Sequence, residues 1–333
     1  MKHPVTILSG FLGSGKTTLL NQILKSAGGL RIAVMINDFG DVNIDKDLVV
    51  GQSGDVLELS GGCMCCTIRE DLLTSAQELL RGGRIFDYLI VETSGLADPG
   101  VVAQTFLTPG LEESFRLDAV VTVVDSANIE IWLEQNDTAR EQIRCADLLV
   151  VNKLDLVSPE DSDRINSRLV EINDHVRALP SINGIVPINL LLDIDTHRAA
   201  VDHDADHRDD QHDHHHHHHH TLHGEVLSVS FADDIELDYD KFDRFVQSLP
   251  DSVYRAKGTV AIQGLNRRVI FHRVGGRNIL DQGAPWDDQQ RGCRAVLLGK
   301  DFDGDKLLAL LRDCAVPRRG AGSRDAVREH SIS

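Results

Sequence analysis

The feature that most limits the fold is a glycine-rich loop between an apolar run and an amphipathic run near the N-terminus. Residues 5–9 are a strand candidate, and residues 10–17 then read GFLGSGKT, which fits the spacing G-x-x-x-x-G-K-[ST]. Glycines let backbone amides face a phosphate chain, and the helix that follows adds the positive end of its dipole. In this phosphate loop Gly10, Gly15, Lys16 and Thr17 hold the fixed positions. We expect Lys16 to reach the β- and γ-phosphates and the Thr17 hydroxyl to ligate Mg²⁺. An ordinary glycine-rich turn is the alternative.

The chain up to about residue 195 alternates short β-branched runs with longer amphipathic ones. Nearly unbroken apolar runs, such as AVVTVV at 119–124, are typical of strands buried on both faces. We therefore predict an α/β fold with a doubly wound, mostly parallel sheet. The predicted strands are 5–9, 31–36, 55–59, 88–92, 117–124, 148–151 and 185–188, and the predicted helices include 16–25, 69–81, 129–146 and 161–178.

Bulk composition excludes several classes of protein. The 333 residues are enough for two domains with real cores, and the formal charge of -18 argues against nucleic acid or an anionic membrane as a main partner. No apolar run reaches the ~20 residues needed to span a bilayer, and the first ten residues are too polar for a signal peptide. Three of the six cysteines, Cys145, Cys293 and Cys314, are scattered singly. A reduced, cytoplasmic setting therefore fits best.

Two loops after predicted strands carry candidate ligands. Glu92 closes an apolar strand, which is where phosphate-loop enzymes place the group that supports Mg²⁺, and Gly95 then lets a backbone amide approach the γ-phosphate. Asp38 follows the second predicted strand, in a loop that commonly senses the γ-phosphate. Its carboxylate is compatible with contact to Mg²⁺, water or a second metal, and equally with a turn at the surface.

A third loop indicates which base is bound. Asn152, Lys153 and Asp155 form N-K-x-D after another apolar strand. The Asp155 carboxylate can accept both the ring N–H and the amino group of guanine, whereas adenine lacks that pair of donors. Lys153 can lie over the base. We call residues 152–155 the guanine loop, and together with the phosphate loop it predicts a P-loop GTPase.

The segment GGCMCC at 61–66 places three of the six cysteines within four residues. Adjacent cysteines close a disulfide only with strain, whereas thiolates suit zinc and other soft metals. If the segment is extended, Cys63 and Cys65 share a face, and Cys66 joins them if the chain bends. Three thiolates leave one tetrahedral position open, which permits metal exchange. Cysteines packing a turn are the alternative, and a redox role is disfavoured because the spacing is not C-x-x-C.

The motifs GFLGSGKTTLLN, NDFGD, GGCMCC, ETSGLADP and NKLD, in this order, resemble the CobW family of GTPases, relatives of the nickel-inserting GTPases of urease and hydrogenase maturation. The resemblance spans roughly residues 4–312. It implies Mg²⁺-dependent GTP hydrolysis coupled to delivery of zinc or cobalt to client proteins. The family usually has glutamates where this chain has Asp38 and Asp41, and shorter side chains alter any metal contact there.

Motif matching to the family implies a role for each site residue. The residues that match the family's phosphate loop are Gly13, Ser14, Gly15, Lys16, Thr17 and Thr18, and those that match its magnesium region are Thr17 and Glu92. Its guanine loop matches Asn152, Lys153 and Asp155. The family's metal-binding cysteines match Cys63, Cys65 and Cys66, so the resemblance implies that these three hold the transported metal. Lys16, Thr17 and Glu92 are accordingly the catalytic candidates.

A histidine- and aspartate-rich segment separates two predicted domains. Residues 197–223 hold twelve of the sixteen histidines and almost no apolar residues, so we predict a disordered, metal-binding linker. A plain linker and an expression tag are alternatives. The predicted units are a P-loop GTPase domain at 1–196, the linker at 197–223, a CobW-type C-terminal α+β domain at 224–314 and a disordered tail at 315–333.

Two functions from different classes remain. The first is a GTPase that acts as a metal chaperone, with zinc as the leading metal and cobalt for a cobalamin pathway as the alternative. The second is a metal storage or sensing protein in which nucleotide turnover is incidental. A nucleotide or small-molecule kinase does not explain the guanine loop or the cysteines. The implied partner is a metal-dependent client protein, and a homodimer is possible.

Overall fold

A computed structural model describes residues 2–27, 29–36, 56–58, 65–83, 85–193, 219–222, 226–286 and 291–316. Within these residues the chain forms two β-sheets, one from each half. The first sheet contains strands β1 to β7 in the spatial order β3-β2-β4-β1-β5-β6-β7, and every pairing in it is parallel. Its strands are β1 (His3–Gly10), β2 (Ile32–Ile36), β3 (Val56–Glu58), β4 (Tyr88–Glu92), β5 (Phe115–Asp125), β6 (Leu148–Asn152) and β7 (Arg177–Pro180).

Helices cover both faces of this sheet because its strands are apolar on both sides. In β2, Val34 belongs to one apolar cluster with α1, whereas Met35 belongs to the opposite cluster with α2 and α3. The helices of this half are α1 (Lys16–Ser26), α2 (Cys65–Arg81), α3 (Pro99–Phe106), α4 (Ile129–Gln135), α5 (Asp137–Arg144), α6 (Pro159–Ile172) and α7 (Ile188–Leu191). The predicted doubly wound, parallel α/β fold is confirmed.

Several element boundaries differ from the sequence prediction. The predicted strand at 185–188 is wrong, because Pro187 lacks an N–H and instead precedes the short helix α7. The strand at the edge beside β6 is instead β7. Its first residues were predicted to be helical, but α6 ends at Ile172, so they are free to form a strand. Asn173 follows α6, and its side-chain amide donates to three carbonyls at the end of α5, at 2.9–3.1 Å. The predicted helix at 129–146 is likewise two helices, since Asn136 has an extended backbone.

The second sheet belongs to a separate α+β domain, as predicted. Its main strands pair in the order β13-β12-β11-β14-β9-β8, all antiparallel, while the short β10 pairs in parallel with β11. The strands are β8 (His219–Leu222), β9 (Val226–Asp233), β10 (Glu236–Leu237), β11 (Val253–Ile262), β12 (Arg267–Val274), β13 (Arg277–Pro285) and β14 (Cys293–Gly299); the helices are α8 (Tyr239–Gln247) and α9 (Gly304–Asp313).

One boundary of this domain lies inside the segment predicted as a linker. Residues 219–222 form the edge strand β8 and pair with β9, so the sheet begins before residue 224. Residues 197–218, the larger part of the predicted linker, and the predicted tail from 317 onward lie outside the described residues.

The two domains meet across a buried ion pair. Asp118 on β5 accepts hydrogen bonds from the Arg255 guanidinium on β11 at 2.9–3.1 Å, and the two side chains are 0% and 3% exposed. Arg255 also donates to the carbonyls of Leu190 and Leu191. Beside this pair, Val296 of the second sheet packs into the apolar cluster of the first domain. The far face of the second sheet is covered by α8 and α9.

Among the described residues, no helix has both the length and the apolar character needed to cross a membrane.

Candidate functional site

The phosphate loop joins the carboxyl end of β1 to the start of α1 and requires glycine at particular positions. Gly10, Gly13 and Gly15 have positive φ values of 142°, 72° and 104°, where side chains are strained. A Cβ atom on Gly10 would lie 2.4 Å from the Val123 carbonyl oxygen, and one on Gly15 would lie 2.5 Å from the Asn152 amide nitrogen. The glycine spacing therefore follows from both backbone conformation and close packing.

The Lys16 ammonium is held over this loop. Its Nζ donates to the carbonyl oxygens of Gly10 at 3.0 Å and Phe11 at 3.4 Å. Both acceptors belong to the loop, so the positive charge lies where the loop amides would meet phosphate oxygens. Thr18 and Gly13 are exposed, whereas the Ser14 side chain is buried.

Thr17 and Glu92 are brought together although they are 75 residues apart in the sequence. The Thr17 hydroxyl donates to Glu92 Oε1 at 2.8 Å, and Glu92 is only 2% exposed at the end of β4. A hydroxyl and a carboxylate oxygen are hard ligands of the kind that Mg²⁺ prefers. The pair that the motifs predicted as the magnesium region therefore fits that ion chemically.

The loop after β4 lies directly against the phosphate loop. A Cβ atom on Gly95 would lie 2.7 Å from the Leu12 backbone nitrogen. The side-chain amide of Gln142 on α5 fixes this loop by donating to the carbonyls of Gly95 and Ala97, both at 3.1 Å. Gln142 is 1% exposed and was not identified from the sequence. The sequence feature that could have identified Gln142 is a polar residue on the apolar face of an amphipathic helix.

The guanine loop also contacts the phosphate loop. The Asn152 side chain donates to the Ser14 carbonyl at 3.1 Å and accepts from the Gly184 N–H at 3.0 Å. Lys153 has a left-handed backbone (φ 62°), and its Nζ donates to the Gly13 carbonyl at 2.7 Å. Asp155 lies in the exposed 3₁₀ turn Leu154–Leu156 next to these contacts.

Asp125 is a second residue that the sequence analysis missed. It ends β5, is 1% exposed, and its Oδ2 accepts from Lys153 Nζ at 2.7 Å. The same carboxylate accepts from the Ala127 N–H and the Asn128 side chain, both at 3.0 Å. An acidic residue closing the apolar run AVVTVV was the available signal, the same one that identified Glu92.

The cysteine cluster is only partly described. Helix α2 begins at Cys65, so Cys65 and Cys66 are its first two residues. The helix was predicted to begin at residue 69, so the extended segment expected to include Cys65 and Cys66 ends before Cys65. Cys63, Asp38 and Asp41 lie outside the described residues. In the described part of the chain, no three histidine, cysteine, aspartate or glutamate side chains are grouped to hold a metal.

A parallel α/β sheet with a phosphate loop after β1, a Thr–Glu pair beside it and an N-K-x-D loop against it defines a P-loop nucleotide-binding protein. Residues 4–180 match the family model described as CobW/HypB/UreG, nucleotide-binding domain. Residues 226–315 match the model described as Cobalamin synthesis protein cobW C-terminal domain. The chain therefore belongs to the CobW/HypB/UreG family.

The chain is also similar to several named proteins. The zinc chaperone CobW of Pseudomonas aeruginosa is 33% identical, over 93% of this chain and 91% of its own length. Zinc-regulated GTPase metalloprotein activator 1 of Dictyostelium discoideum is 39% identical over 57% of this chain, and the chain spans about half of that relative, 48% of its length. A crystal structure of zinc-bound YjiA GTPase from Escherichia coli is 24% identical, with a TM-score of 0.47 and coverage of 94% of this chain and 99% of that one.

Proposed function

We propose that this protein is a GTP-hydrolysing metallochaperone that binds zinc at Cys63, Cys65 and Cys66 and delivers it to a client protein. The observation that carries the proposal is the meeting of three loops at one edge of the sheet. Lys153 Nζ bonds to Gly13 of the phosphate loop, while Thr17 of that loop bonds to Glu92. A nucleotide bound there would touch all three loops at once.

The residues of this edge suit hydrolysis of a phosphoanhydride. Phosphoryl transfer needs little covalent help from the protein, so positioning and charge stabilisation dominate. Lys16 and the loop amides would stabilise the charge that develops on the transferred phosphoryl group. When held by Thr17 and Glu92, Mg²⁺ would neutralise charge on the phosphate oxygens. The Gly95 backbone lies against Leu12 of the phosphate loop, so its amide would lie near the γ-phosphate of a bound nucleotide.

Base selection is assigned to Asp155. Asn152 and Lys153 anchor the guanine loop to the phosphate loop through Ser14 and Gly13. This anchoring leaves Asp155 exposed in the turn that follows, where its carboxylate can accept both donors of guanine.

The choice of zinc as cargo rests on the thiolates and on the relatives. Thiolates are good ligands for zinc, and the dipole at the start of a helix favours negative charge at Cys65 and Cys66. The relatives from P. aeruginosa and D. discoideum carry names that refer to zinc. Zinc is therefore proposed over cobalt. The client protein, a homodimeric state and a cytoplasmic location stay predictions.

Two sets of variants test the proposal in the full-length protein. Thr17→Ala should abolish Mg²⁺-dependent GTP hydrolysis, and Asp155→Asn should weaken the preference for GTP over ATP. Cys65→Ala should remove the tightest zinc binding and leave the weaker binding capacity of the histidine-rich segment. Cys145→Ala is the control, because Cys145 is a single cysteine near α3. This control should leave the tightest zinc binding intact. Unchanged tight zinc binding in Cys65→Ala, or tighter binding of cobalt than zinc at the same site, would reject the assignment.

A further inference from the structure

A cavity of about 580 Å³ lies between the two domains, away from the phosphate loop. Its walls come from the amino ends of β1, β4 and β5 in the first domain and from β11, β12 and β14 in the second. The charged side chains that line it are Lys2, Asp87, Arg116, Asp193, Lys257 and Arg294. The volume is within the range of pockets that hold small molecules, and such pockets often lie at domain interfaces.

The charge of the cavity is opposite to that of the protein. Four basic side chains, Lys2, Arg116, Lys257 and Arg294, line it against two acidic ones, Asp87 and Asp193, in a chain whose formal charge is -18. Asp87 is neutralised from outside the wall by Arg31, at 2.5 Å. Arg294 likewise meets Asp234 at 3.2 Å. A concave surface of one sign concentrates ligands of the other sign.

Two of the cations are fixed in place by a shared carboxylate. Arg116 Nη2 and Lys257 Nζ donate to the two oxygens of Asp193, at 2.5 and 2.9 Å. Burial opposes ionisation of Asp193, but the charges of Lys257, Arg255 and Arg116 outweigh it and hold the pKa of this carboxyl well below its usual range. Among the described residues, Arg116, Lys257 and Arg255 bring three positive charges against the two carboxylates of Asp193 and Asp118, and Arg116 Nη1 also lies 3.6 Å from Asp118 Oδ1. This described cluster therefore holds one positive charge in excess. The excess charge is ordered before any ligand arrives, which reduces the entropy cost of binding.

The remainder of the wall is apolar or neutral. Leu30, Phe86, Ile270 and Val296 line it, so the cavity can hold a hydrocarbon body as well as a charged group. His272 contributes a neutral ring near pH 7, because burial and the positive charge of Arg116 lower the pKa of this imidazole to about 4.

We propose that this interdomain cavity binds a small organic anion whose carboxylate or phosphate group lies among Lys2, Arg116 and Lys257 and whose apolar part lies against Phe86 and Ile270. Such a ligand would contact both domains at once. The proposal stands independently of GTP hydrolysis and of the cysteine site.

Calorimetric titration of the full-length protein tests this. The protein is first saturated with GDP and Mg²⁺, so that the phosphate loop is occupied, and is then titrated with glutarate and, separately, with phenyl phosphate at constant ionic strength. We expect saturable binding of at least one probe with a Kd below about 1 mM. Binding of only one probe supports the proposal and assigns the head group. No saturable binding of either probe would overturn it.

Two charge variants locate the binding. Lys257→Met removes a wall cation that contacts Asp193, and Lys2→Glu reverses a charge at the exposed rim, where the fold is not at stake. Each should raise the Kd roughly tenfold or more, the scale of one hydrogen bond to a charged group. Lys306→Met on α9 and Lys25→Glu on α1 are the matched exposed controls and should leave the Kd unchanged. An unchanged Kd in Lys2→Glu would show that the probes bind elsewhere and would contradict the proposal.

Discussion

At the scale of single residues, the contact between Lys153 and Asp125 ties the guanine loop to the end of β5. Lys153 Nζ lies 2.7 Å from both Asp125 Oδ2 and the Gly13 carbonyl, so one ammonium joins three segments of the chain. Asp125 is buried, and Lys153 adopts a left-handed backbone that brings its side chain back over the phosphate loop. We interpret Asp125 as a positioning residue that acts on the nucleotide through Lys153.

The prediction concerns Asp125→Asn, which keeps the side-chain shape and removes the charge. The Kd for GDP should rise roughly tenfold, because a hydrogen bond between charged groups is weakened. Fluorescence titration with a labelled GDP measures it. If Asp125 acts through Lys153, its effect should largely vanish in a Lys153→Met background; additive effects of the two substitutions would contradict the interpretation.

A second residue-scale prediction concerns pH. Burial and Arg116 lower the pKa of His272 to about 4, whereas in the unfolded chain an imidazole titrates near 6.5. Between these values the unfolded state binds a proton that the folded state does not, so this contribution to stability is present above about pH 6.5 and is lost as the pH falls towards 4. The loss attributable to His272 should be about 2.5 kcal/mol at pH 4.5.

Urea unfolding at pH 7 and pH 4.5 measures that loss. His272→Gln should show a smaller fall in the free energy of unfolding between the two pH values than the wild type does. The exposed His175, converted to Gln, is the control and should behave as the wild type. Equal falls in His272→Gln and the wild type would show that this imidazole is not held neutral.

Residues with fixed spacing were predictable from the sequence, and residues defined by distant contacts were not. The phosphate loop is recognisable because its glycines, lysine and threonine must occur in one order within eight positions. Gln142 and Asp125 act on segments 45–47 and 28 residues away, so only the fold reveals their partners. The metal-site assignment at Cys63, Cys65 and Cys66 stays a prediction.

At the scale of elements, helix α5 supports the loop that follows β4. The buried side chain of Gln142 on α5 donates hydrogen bonds to the carbonyls of Gly95 and Ala97. Both carbonyls belong to the loop that lies beside the phosphate loop. The position of this loop therefore depends on a helix that carries none of the predicted site residues.

Gln142→Leu should lower the free energy of unfolding by about 1–3 kcal/mol, since it leaves two carbonyls without their donor. It should also lower kcat for GTP hydrolysis more than it changes the Kd for GDP, because Gly95 belongs to the loop proposed to sense the γ-phosphate. Denaturant titration and single-turnover hydrolysis measure the two effects. Gln104→Leu, on the exposed face of α3, is the matched control. A wild-type kcat in Gln142→Leu would show that the contact from α5 does not contribute to GTP hydrolysis.

Element boundaries were predicted less well than element types. The amphipathic pattern over 129–146 does not reveal the break at Asn136, and the pattern over 161–178 continues past the true end of α6. Asn173 ends that helix by capping α5, a tertiary contact that helical periodicity cannot encode. The start of α2 was also predicted too late, at residue 69 instead of Cys65. The prediction of an extended segment at the cysteines rested on the local alternation of side chains alone.

At the scale of the whole molecule, the two domains are joined by buried charge. Arg255 donates to both Asp118 oxygens, and the Tyr88 hydroxyl donates to the same carboxylate. Burial, followed by the negative charge of Asp118, raises the pKa of Tyr88 well above its usual value, so its hydroxyl stays a donor. Removing one member of such a buried pair leaves the other charge uncompensated.

Arg255→Met should therefore lower the free energy of unfolding by roughly 3–5 kcal/mol, and the double variant Arg255→Met, Asp118→Asn should be less destabilised than the single one. The chain has one tryptophan in each domain, Trp132 and Trp286, so Trp→Phe variants report the domains separately. Their unfolding curves should coincide in the otherwise wild-type protein and separate in Arg255→Met. Coincident curves in Arg255→Met would contradict the role of this pair in coupling the domains.

The proposed function, a GTP-hydrolysing chaperone for zinc, is tested most directly by one titration, because a chaperone driven by GTP hydrolysis has to hold zinc more tightly in one nucleotide state than in the other. Zinc is titrated into the full-length protein in the presence of Mg²⁺ with a non-hydrolysable GTP analogue, and then with GDP, and the same pair of titrations is run on Cys65→Ala. We predict that the zinc Kd of the tightest site differs at least fivefold between the two nucleotides, the lower end of typical coupling, and that the difference disappears in Cys65→Ala. Equal zinc affinities in the two nucleotide states would contradict the account.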